Sequence, residues 1–240
     1  MADYSATREY EEGDDVQKNE NPSPSVWPLI ILILGAAAIA FAPIFVRVSE
    51  VGPVTTALWR VALAVPVLGG MLMFERARRA ADAPLPVLGK REYVRLGLAG
   101  LFFAGDLAVW HYSIHFTSVA NATLLANLAP IFVTLFGFIL FKDRVTRLFI
   151  AGMAVALLGM MVLMGKSFSL SQQNFAGDLL GALTAVFYAS YILAVGRLRA
   201  RLGTIVVMFW STVFTAVSLL PAVWLSGETL LPETAQGWGM

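Results

Sequence analysis

Seven long apolar runs constrain the fold of this chain more than any other feature. Each is 17 to 23 residues long. At about 1.5 Å of helical rise per residue, such a run approaches or exceeds the roughly 30 Å hydrocarbon core of a bilayer. The runs cover residues 26–46, 54–74, 94–114, 119–141, 148–164, 179–195 and 205–225. With a mean hydropathy of +0.73 and only 14% charged residues, the sequence predicts an all-α integral membrane protein, a polytopic helical bundle.

Residues 1–25 differ sharply in composition from the rest of the chain. They hold seven acidic and two basic residues and end in two closely spaced prolines. Such a segment cannot bury enough apolar surface to offset the entropy of ordering it, so we expect a disordered tail. A cleavable signal peptide begins with a basic segment and a short apolar core. The order here is different, and the first apolar run is expected to stay in the protein as a helix.

Basic residues alternate between the loops and predict the orientation of the chain. The loops after runs two, four and six, with their flanks, hold twelve Lys and Arg residues: Arg76, Arg78, Arg79, Lys90, Arg91, Arg95, Lys142, Arg144, Arg147, Arg197, Arg199 and Arg201. The alternate loops hold only Arg47 and Lys166. Because basic loops stay in the cytoplasm, we expect a multi-pass protein of the cell membrane with a cytoplasmic N-terminus. The difference in charge between the acidic residues 1–25 and the more basic remainder of the chain indicates membrane topology and does not indicate nucleic-acid binding.

Two segments of the sequence indicate an internal repeat. Residues 52–60 read GPVTTALWR and residues 203–211 read GTIVVMFWS, each with Gly and Trp seven residues apart. Both segments open the second helix of a five-helix unit. An odd number of helices turns the second unit upside down, and inverted repeats of this kind are typical of secondary transporters.

Longer stretches resemble a known family. These are FTSVANATLLANLAPIFVTLFGFILFKDRVT at 116–146, FIAGMAVALLGMMVLM at 149–164 and GDLLGALTAVFYASYILAVGRL at 177–198. Together with residues 52–60, they resemble the drug/metabolite transporter superfamily, in particular its EamA-type members. The Lys142-Asp143-Arg144 segment is similar to the short acidic turn that usually ends the family's fourth helix, with Asp in place of the commoner Glu.

The resemblance implies ten helices in two inverted halves, with both termini cytoplasmic, whereas this sequence has seven apolar runs. We therefore expect residues 26–165 to form the first EamA repeat, TM1 to TM5. Residues 175–240 are expected to form an incomplete second repeat, with TM6, TM7 and the start of TM8 at 235–240. On this interpretation the sequence is cut short, as a fragment or as the product of an early stop.

Arg60 and Asp106 are the two formal charges that lie deep within the runs. An ionisable group in the bilayer core costs about 2.5–3.5 kcal/mol on insertion scales, so it normally faces a cavity or a partner. Arg60 is about 9 Å and Asp106 about 12 Å below the predicted outer surface. They could form a salt bridge between the second and third helices, or bind substrate, with Asp106 as the candidate proton-coupling residue.

Neutral polar and aromatic residues fall at a similar depth. Asn127 and Tyr188 lie about 12 and 13 Å below the same surface, and Trp110 is one turn from Asp106. We predict a substrate-binding layer of Arg60, Asp106, Trp110, Asn127 and Tyr188. The alternative for Asn127 and Tyr188 is an interhelical hydrogen bond that only joins helices.

Prolines at positions 43, 66, 130 and 221 interrupt the apolar runs. Each removes a backbone hydrogen bond and permits a kink. A kink can accommodate packing, or it can act as a hinge in alternating access.

His111 and His115 have the i, i+4 spacing of helical metal ligands, but no third ligand is near them in sequence. An interfacial His115 and a packed His111 are therefore expected, with no metal and no cofactor. The sequence has no cysteine and no catalytic motif, so an enzyme is not predicted.

These features favour a secondary transporter, an exporter of small amino-acid-like or amphipathic solutes, with Asp106 as the candidate residue for proton coupling. Its partners are then the lipid bilayer and the solute. The alternative is a non-transporting, truncated membrane protein, or a helical partner that forms homo-oligomers through its incomplete repeat interface. The sequence does not specify the substrate, the direction of transport or the coupling ion.

Overall fold

A computed structural model describes residues 26–41, 49–78, 88–164 and 175–234, and these ranges are helical without a strand. The predicted tail at 1–25 and the predicted start of TM8 at 235–240 lie outside the described residues. The helices are α1 (Trp27–Ala40), α2 (Pro53–Arg78), α3 (Lys90–Phe116), α4 (Val119–Ala126), α5 (Ala129–Phe141), α6 (Arg147–Met164), α7 (Phe175–Leu202) and α8 (Thr204–Ser226).

The predicted helical membrane protein is confirmed, since most of each apolar run is helical where it is described. Five stretches are long and apolar enough to cross a membrane: α2, α3, α4 with α5, α7 and α8. Helices α1 and α6 are shorter apolar helices. The described residues divide into two units, one that holds α1 and one that holds the other helices.

The structure corrects two predicted loops. The connection predicted at 196–204 is wrong, because α7 continues to Leu202 and only Gly203 separates it from α8. Gly203 has a φ of +79°, a backbone conformation that glycine adopts without a steric penalty. The loop predicted before the sixth run extended to Asp178, but this residue lies in the first turn of α7.

Within residues 43–240, α3 lies between α7 and α8, while α2 packs mainly on α8. Two apolar clusters hold these helices together. One joins the end of α2 and the start of α3 to the end of α7 and the start of α8, including Leu72, Leu96, Leu198 and Val207. We call this the lower end of the bundle, and it corresponds to the predicted cytoplasmic side.

The second cluster lies toward the upper end, where α2 begins and α8 ends. It joins Val54 and Leu58 of α2 to Ala104 of α3 and to Leu219 and Val223 of α8. Leu96 and Ala99 of α3 belong to the first cluster and Ala104 to the second, so one face of α3 packs against both. This arrangement places Asp106 just above Ala104, near the middle of the bundle.

Candidate functional site

Helices α2 and α3 bring Arg60 and Asp106 to the same level of the bundle. The two side chains lie within electrostatic range of each other. Arg60 is exposed and Asp106 is half-buried. Among the described residues, no ion pair with an N···O distance of 4.0 Å or less joins them. The predicted direct salt bridge is therefore absent from this conformation.

Aromatic side chains line the region around Asp106. Tyr188 of α7 is 40% exposed, and its ring stacks on Tyr191 with centroids 6.4 Å apart. Tyr191 in turn stacks on Phe103 of α3 at 4.6 Å. Both tyrosines lie within electrostatic range of Asp106, and Trp110 follows Asp106 by one turn of α3. Three of the predicted residues, Arg60, Asp106 and Tyr188, therefore lie in one region.

Sequence reasoning missed Phe103 and Tyr191, although their spacing was available. Phe103 precedes Asp106 by three positions, and Tyr191 follows Tyr188 by three. Residues three apart lie on the same face of a helix. Searching each face for aromatic neighbours would have identified both.

Asn127 lies at a break in the fourth predicted span. Helix α4 ends at Ala126 and α5 begins at Ala129, so Asn127 and Leu128 lie between the two helices and Pro130 lies in the first turn of α5. Since proline has no N–H, the carbonyl of Ala126 cannot accept its usual helical hydrogen bond. At Pro130, where a kink is predicted, the span is divided into two helices by a two-residue turn whose dihedrals stay in the right-handed helical region. Broken helices at membrane depth are typical of transporter binding sites.

The side chain of Asn127 does not join neighbouring helices. Its amide donates to the carbonyl of Thr123 on its own helix at 2.9 Å, and the side chain is exposed. The alternative role predicted for Asn127, an interhelical hydrogen bond, is therefore wrong among the described residues. Its position at the break keeps it as a candidate for the site.

A buried polar cluster at the upper end joins α7 to the turn between α3 and α4. The Thr117 hydroxyl donates to Asp178 at 2.8 Å, and the Asn121 amide donates to the same carboxylate oxygen at 3.3 Å. A β-carbon at Gly177 would lie 2.7 Å from the backbone of Phe116, so glycine permits this close approach. The signal in the sequence was an acidic residue placed just before an apolar run, a favourable position for the first turn of a helix.

The upper end of α2 is capped by a residue that follows α8. The carboxylate of Glu228 accepts hydrogen bonds from the backbone N–H groups of Val54 at 3.3 Å and Thr55 at 2.7 Å. It also packs against Gly52, where a β-carbon would overlap the Glu228 side chain. A negative charge at a helix N-terminus satisfies its free N–H groups.

Two further bonds join these segments. Trp59 donates from its indole nitrogen to the carbonyl of Leu230 at 2.8 Å, and Thr234 bonds to Glu50 through its hydroxyl and backbone N–H. No local pattern of residues predicts these contacts, because more than 170 positions separate the partners.

At the lower end, the acidic turn connects the fourth span to α7. Helix α5 ends at Phe141; the next residue, Lys142, has a φ of +59°, and the N–H of Asp143 donates to the carbonyl of Gly137. This geometry closes the helix and directs the Asp143 carboxylate to Arg197, at 3.2 Å. The Arg197 guanidinium also lies over the ring of Phe141.

The two histidines of α3 have different surroundings. His111 is fully buried and shares a hydrogen bond through Nδ1 with the carbonyl of Leu107, while His115 is exposed near the end of α3. In the part of the chain that the structure describes, no three His, Cys, Asp or Glu side chains group as metal ligands.

Residues 26–165 match the EamA-like transporter family, which is more than half of the chain. The chain belongs to the EamA-like transporter family. The resemblance noted in the sequence is thereby confirmed. Members of this family are transporters rather than enzymes, in agreement with the expectation from the sequence. This EamA-like protein is a multi-pass membrane protein.

Curated relatives of the EamA-like protein include named exporters. It is 28% identical over 173 residues to the pseudopaline exporter CntI of Pseudomonas aeruginosa, covering 72% of this chain and 58% of the relative. It is 31% identical over 152 residues to the aromatic amino acid exporter YddG of Ancylobacter novellus, covering 60% of this chain and 52% of the relative. The chain therefore spans little more than half the length of these relatives.

A solved crystal structure has the same fold. Its TM-score is 0.61 at 24% identity, over 90% of this chain and 73% of that chain. At this identity the likeness concerns the fold alone. It agrees with the helical architecture described above.

Proposed function

We propose that the EamA-like protein is a secondary transporter that exports small amino-acid-like or amphipathic solutes by alternating access. The observation that carries this proposal is the region between α2, α3 and α7, where Arg60 and Asp106 lie near each other without a direct ion pair. Membership in a transporter family supports it. Two relatives are named as exporters, one of them of aromatic amino acids.

The two charges suit a solute that carries both signs. The Arg60 guanidinium can bind a carboxylate through two parallel N–H···O bonds. Asp106 can accept hydrogen bonds from an ammonium group or take up a proton. A zwitterion placed between them would satisfy both charges.

The aromatic side chains supply the apolar part of the proposed site. Tyr188, with its ring partly exposed and stacked on Tyr191, offers a flat surface to an apolar or aromatic side chain of the solute. Trp110 is assigned to the same site from its position one turn above Asp106. Asn127 is assigned to it from the helix break, where backbone carbonyls can contribute to binding.

The proposed cycle requires the upper end of the bundle to open. For an exporter, release of the solute takes place on the outer side, which is the upper end in the predicted topology. The bonds of Glu228 and Trp59 to their partners close that end in this conformation. We infer that they break in each cycle.

The first testable prediction concerns orientation. A reporter enzyme fused after Arg144 is expected to be cytoplasmic, and one fused after Ser167 extracytoplasmic, because the basic loops are retained in the cytoplasm. Paired alkaline phosphatase and fluorescent protein fusions measure this in whole cells. If both fusion sites report the same side of the membrane, the predicted topology is wrong.

The second prediction tests recognition of the solute carboxylate by Arg60. In nanodiscs, the chain is expected to bind phenylalanine more tightly than phenethylamine, which lacks the carboxylate. Arg60→Gln should remove most of that difference, because a hydrogen bond to a charged group is worth about 1.5–3 kcal/mol. Isothermal titration calorimetry measures both affinities.

Arg95→Gln is the matched control, since Arg95 is an exposed arginine at the lower end of α3. This variant should keep the preference for phenylalanine. Equal binding of the two compounds by the unaltered chain would count against the site. A stable homo-oligomer without solute binding would instead favour the non-transporting alternative.

A further inference from the structure

Three aromatic rings form a nearly parallel row between α3 and α7. The ring of Phe103 on α3 stacks on that of Tyr191 on α7, with centroids 4.6 Å apart and an angle of 17° between the ring planes. Tyr191 stacks in turn on Tyr188, at 6.4 Å and 23°. Both separations lie in the range in which aromatic pairs attract each other. Tyr191 is therefore the middle ring of the row.

One end of this row is packed and the other is open. Tyr191 is half-buried and packs against the apolar cluster at the lower end of the bundle. Phe103 is also half-buried, whereas Tyr188 is 40% exposed. The contacts of Tyr191 with both helices and with the cluster below hold its ring in place. Tyr188 is thus an exposed ring that rests on a packed one.

Helices α3 and α7 are antiparallel and approach closely along this stretch. At the upper end, Thr117 just after α3 bonds to Asp178 in the first turn of α7. Farther down, a β-carbon at Gly105 would lie 2.7 Å from the ring of Phe187. A contact between these two helices therefore fixes which of their residues lie at the same level.

The stack of Phe103 on Tyr191 places Asp106 level with Tyr188. Residues three apart lie on the same face of a helix, about one turn from each other. Asp106 lies one turn above Phe103 on α3, and Tyr188 lies one turn above Tyr191 on the antiparallel α7. Asp106 is half-buried and Tyr188 is exposed, so this level lies at the open edge of the helix pair.

A carboxylate and an exposed ring at one level suit a particular kind of solute. Asp106 can accept hydrogen bonds from an ammonium group, while Tyr188 can stack with a second ring. A saturated group of similar size gains only the burial of its apolar area at Tyr188. An aromatic ring gains the stacking interaction in addition. The arrangement therefore distinguishes a planar aromatic group from an aliphatic group of similar size.

We propose that Tyr191 is a positioning residue that holds the ring of Tyr188 beside Asp106, and that Tyr188 thereby selects zwitterions with an aromatic side chain over aliphatic ones. This inference rests on the proposed function, and it narrows the solute class from amphipathic to aromatic. Tyr188 contacts the solute in this scheme. Tyr191 acts only through Tyr188.

The relative affinity for two matched compounds tests this selection. Phenylalanine and β-cyclohexylalanine carry the same charges and the same carbon skeleton, and only the ring of the first is aromatic. By calorimetry in nanodiscs, the unaltered chain should bind phenylalanine about 2- to 12-fold more tightly. Tyr188→Leu should bring this ratio to one or below, because cyclohexylalanine is the more hydrophobic compound.

Variants of Tyr191 separate positioning from a merely structural role. Tyr191→Leu should also bring the ratio toward one, although Tyr188 is unchanged, whereas Tyr191→Phe keeps the ring and should keep the ratio. A weaker affinity for both compounds by the same factor in Tyr191→Leu would overturn the positioning role. Phe103→Leu removes the ring beside Tyr191 and should lower the ratio too, so the role is testable even if Tyr191→Leu does not fold.

Tyr93→Leu is the matched tyrosine control. Tyr93 is exposed at the lower end of α3 and packs edge-on against Trp210 at 5.0 Å, so its loss should leave the ratio unchanged. Equal binding of the two compounds by the unaltered chain would overturn aromatic selection and leave the proposed function in place, because a zwitterion would still be bound. Binding of neither compound would overturn both.

Discussion

Asp106→Asn is expected to slow exchange of radiolabelled phenylalanine across proteoliposome membranes by about 10- to 150-fold. Asparagine has nearly the same size as aspartate but carries no charge and takes up no proton. Interactions with a charged group are worth about 1.5–3 kcal/mol, which corresponds to that range of rates. The helical packing around Asp106 should be retained, because the half-buried side chain of Asp106 is replaced by one of similar volume.

Asp143→Asn is the control for this experiment. The Asp143 carboxylate is 56% exposed and pairs with Arg197 at the lower end, and exposed pairs contribute about 1 kcal/mol or less. Exchange should therefore remain close to that of the unaltered chain. If Asp106→Asn exchanges phenylalanine at the full rate, Asp106 has no part in binding or coupling.

Gly100→Ala is expected to destabilise the contact between α3 and α8. A β-carbon at Gly100 would lie 2.5 Å from Cβ of Phe214 and 2.9 Å from the backbone of Ser211 and Thr215. Since these are backbone and near-backbone atoms, the helices would have to separate. Overpacking of this kind costs about 1–3 kcal/mol, which corresponds to a fall of about 2–12 °C in the unfolding midpoint.

Gly97→Ala is a matched control on the same helix. A β-carbon there would lie 3.9 Å from the ring of Phe214, an ordinary contact distance. Its midpoint should stay near the wild-type value or rise slightly, because alanine favours the helix. Similar midpoints for the two variants would mean that α3 and α8 do not pack as described.

The sequence was sufficient to predict the helical architecture because bilayer thickness requires long apolar segments. Helix ends were less predictable. Helix α7 extends past its apolar run at both ends, to Phe175 and Leu202, since polar residues continue a helix when neighbours satisfy them. The break at Asn127 was predicted only as a kink at Pro130. The hydrophobicity of a segment does not show whether the helical hydrogen bonds around a proline are retained.

For the site, depth arithmetic placed Arg60, Asp106 and Tyr188 in one region, since antiparallel helices align residues at equal depth. Depth alone could not distinguish a direct salt bridge from two separated charges. The distance between the two charged groups also depends on the rotation of each helix about its axis. The functions of Glu228 and Asp178 depend on partners far away in the sequence. Such contacts follow from tertiary packing and have no local signal.

The polar contacts join the helices into two groups that differ from the two predicted repeats. Asp178 and Arg197 attach both ends of α7 to the fourth span, whereas Glu228 and Trp59 attach α2 to the segment after α8. Each pairing combines a helix from one predicted repeat with a helix from the other, and α3 lies between the pairings. In a rocking motion of this bundle, α7 and the fourth span would then move together against α2 and the segment after α8, with α3 as the pivot. Each moving group would contain residues from both predicted repeats.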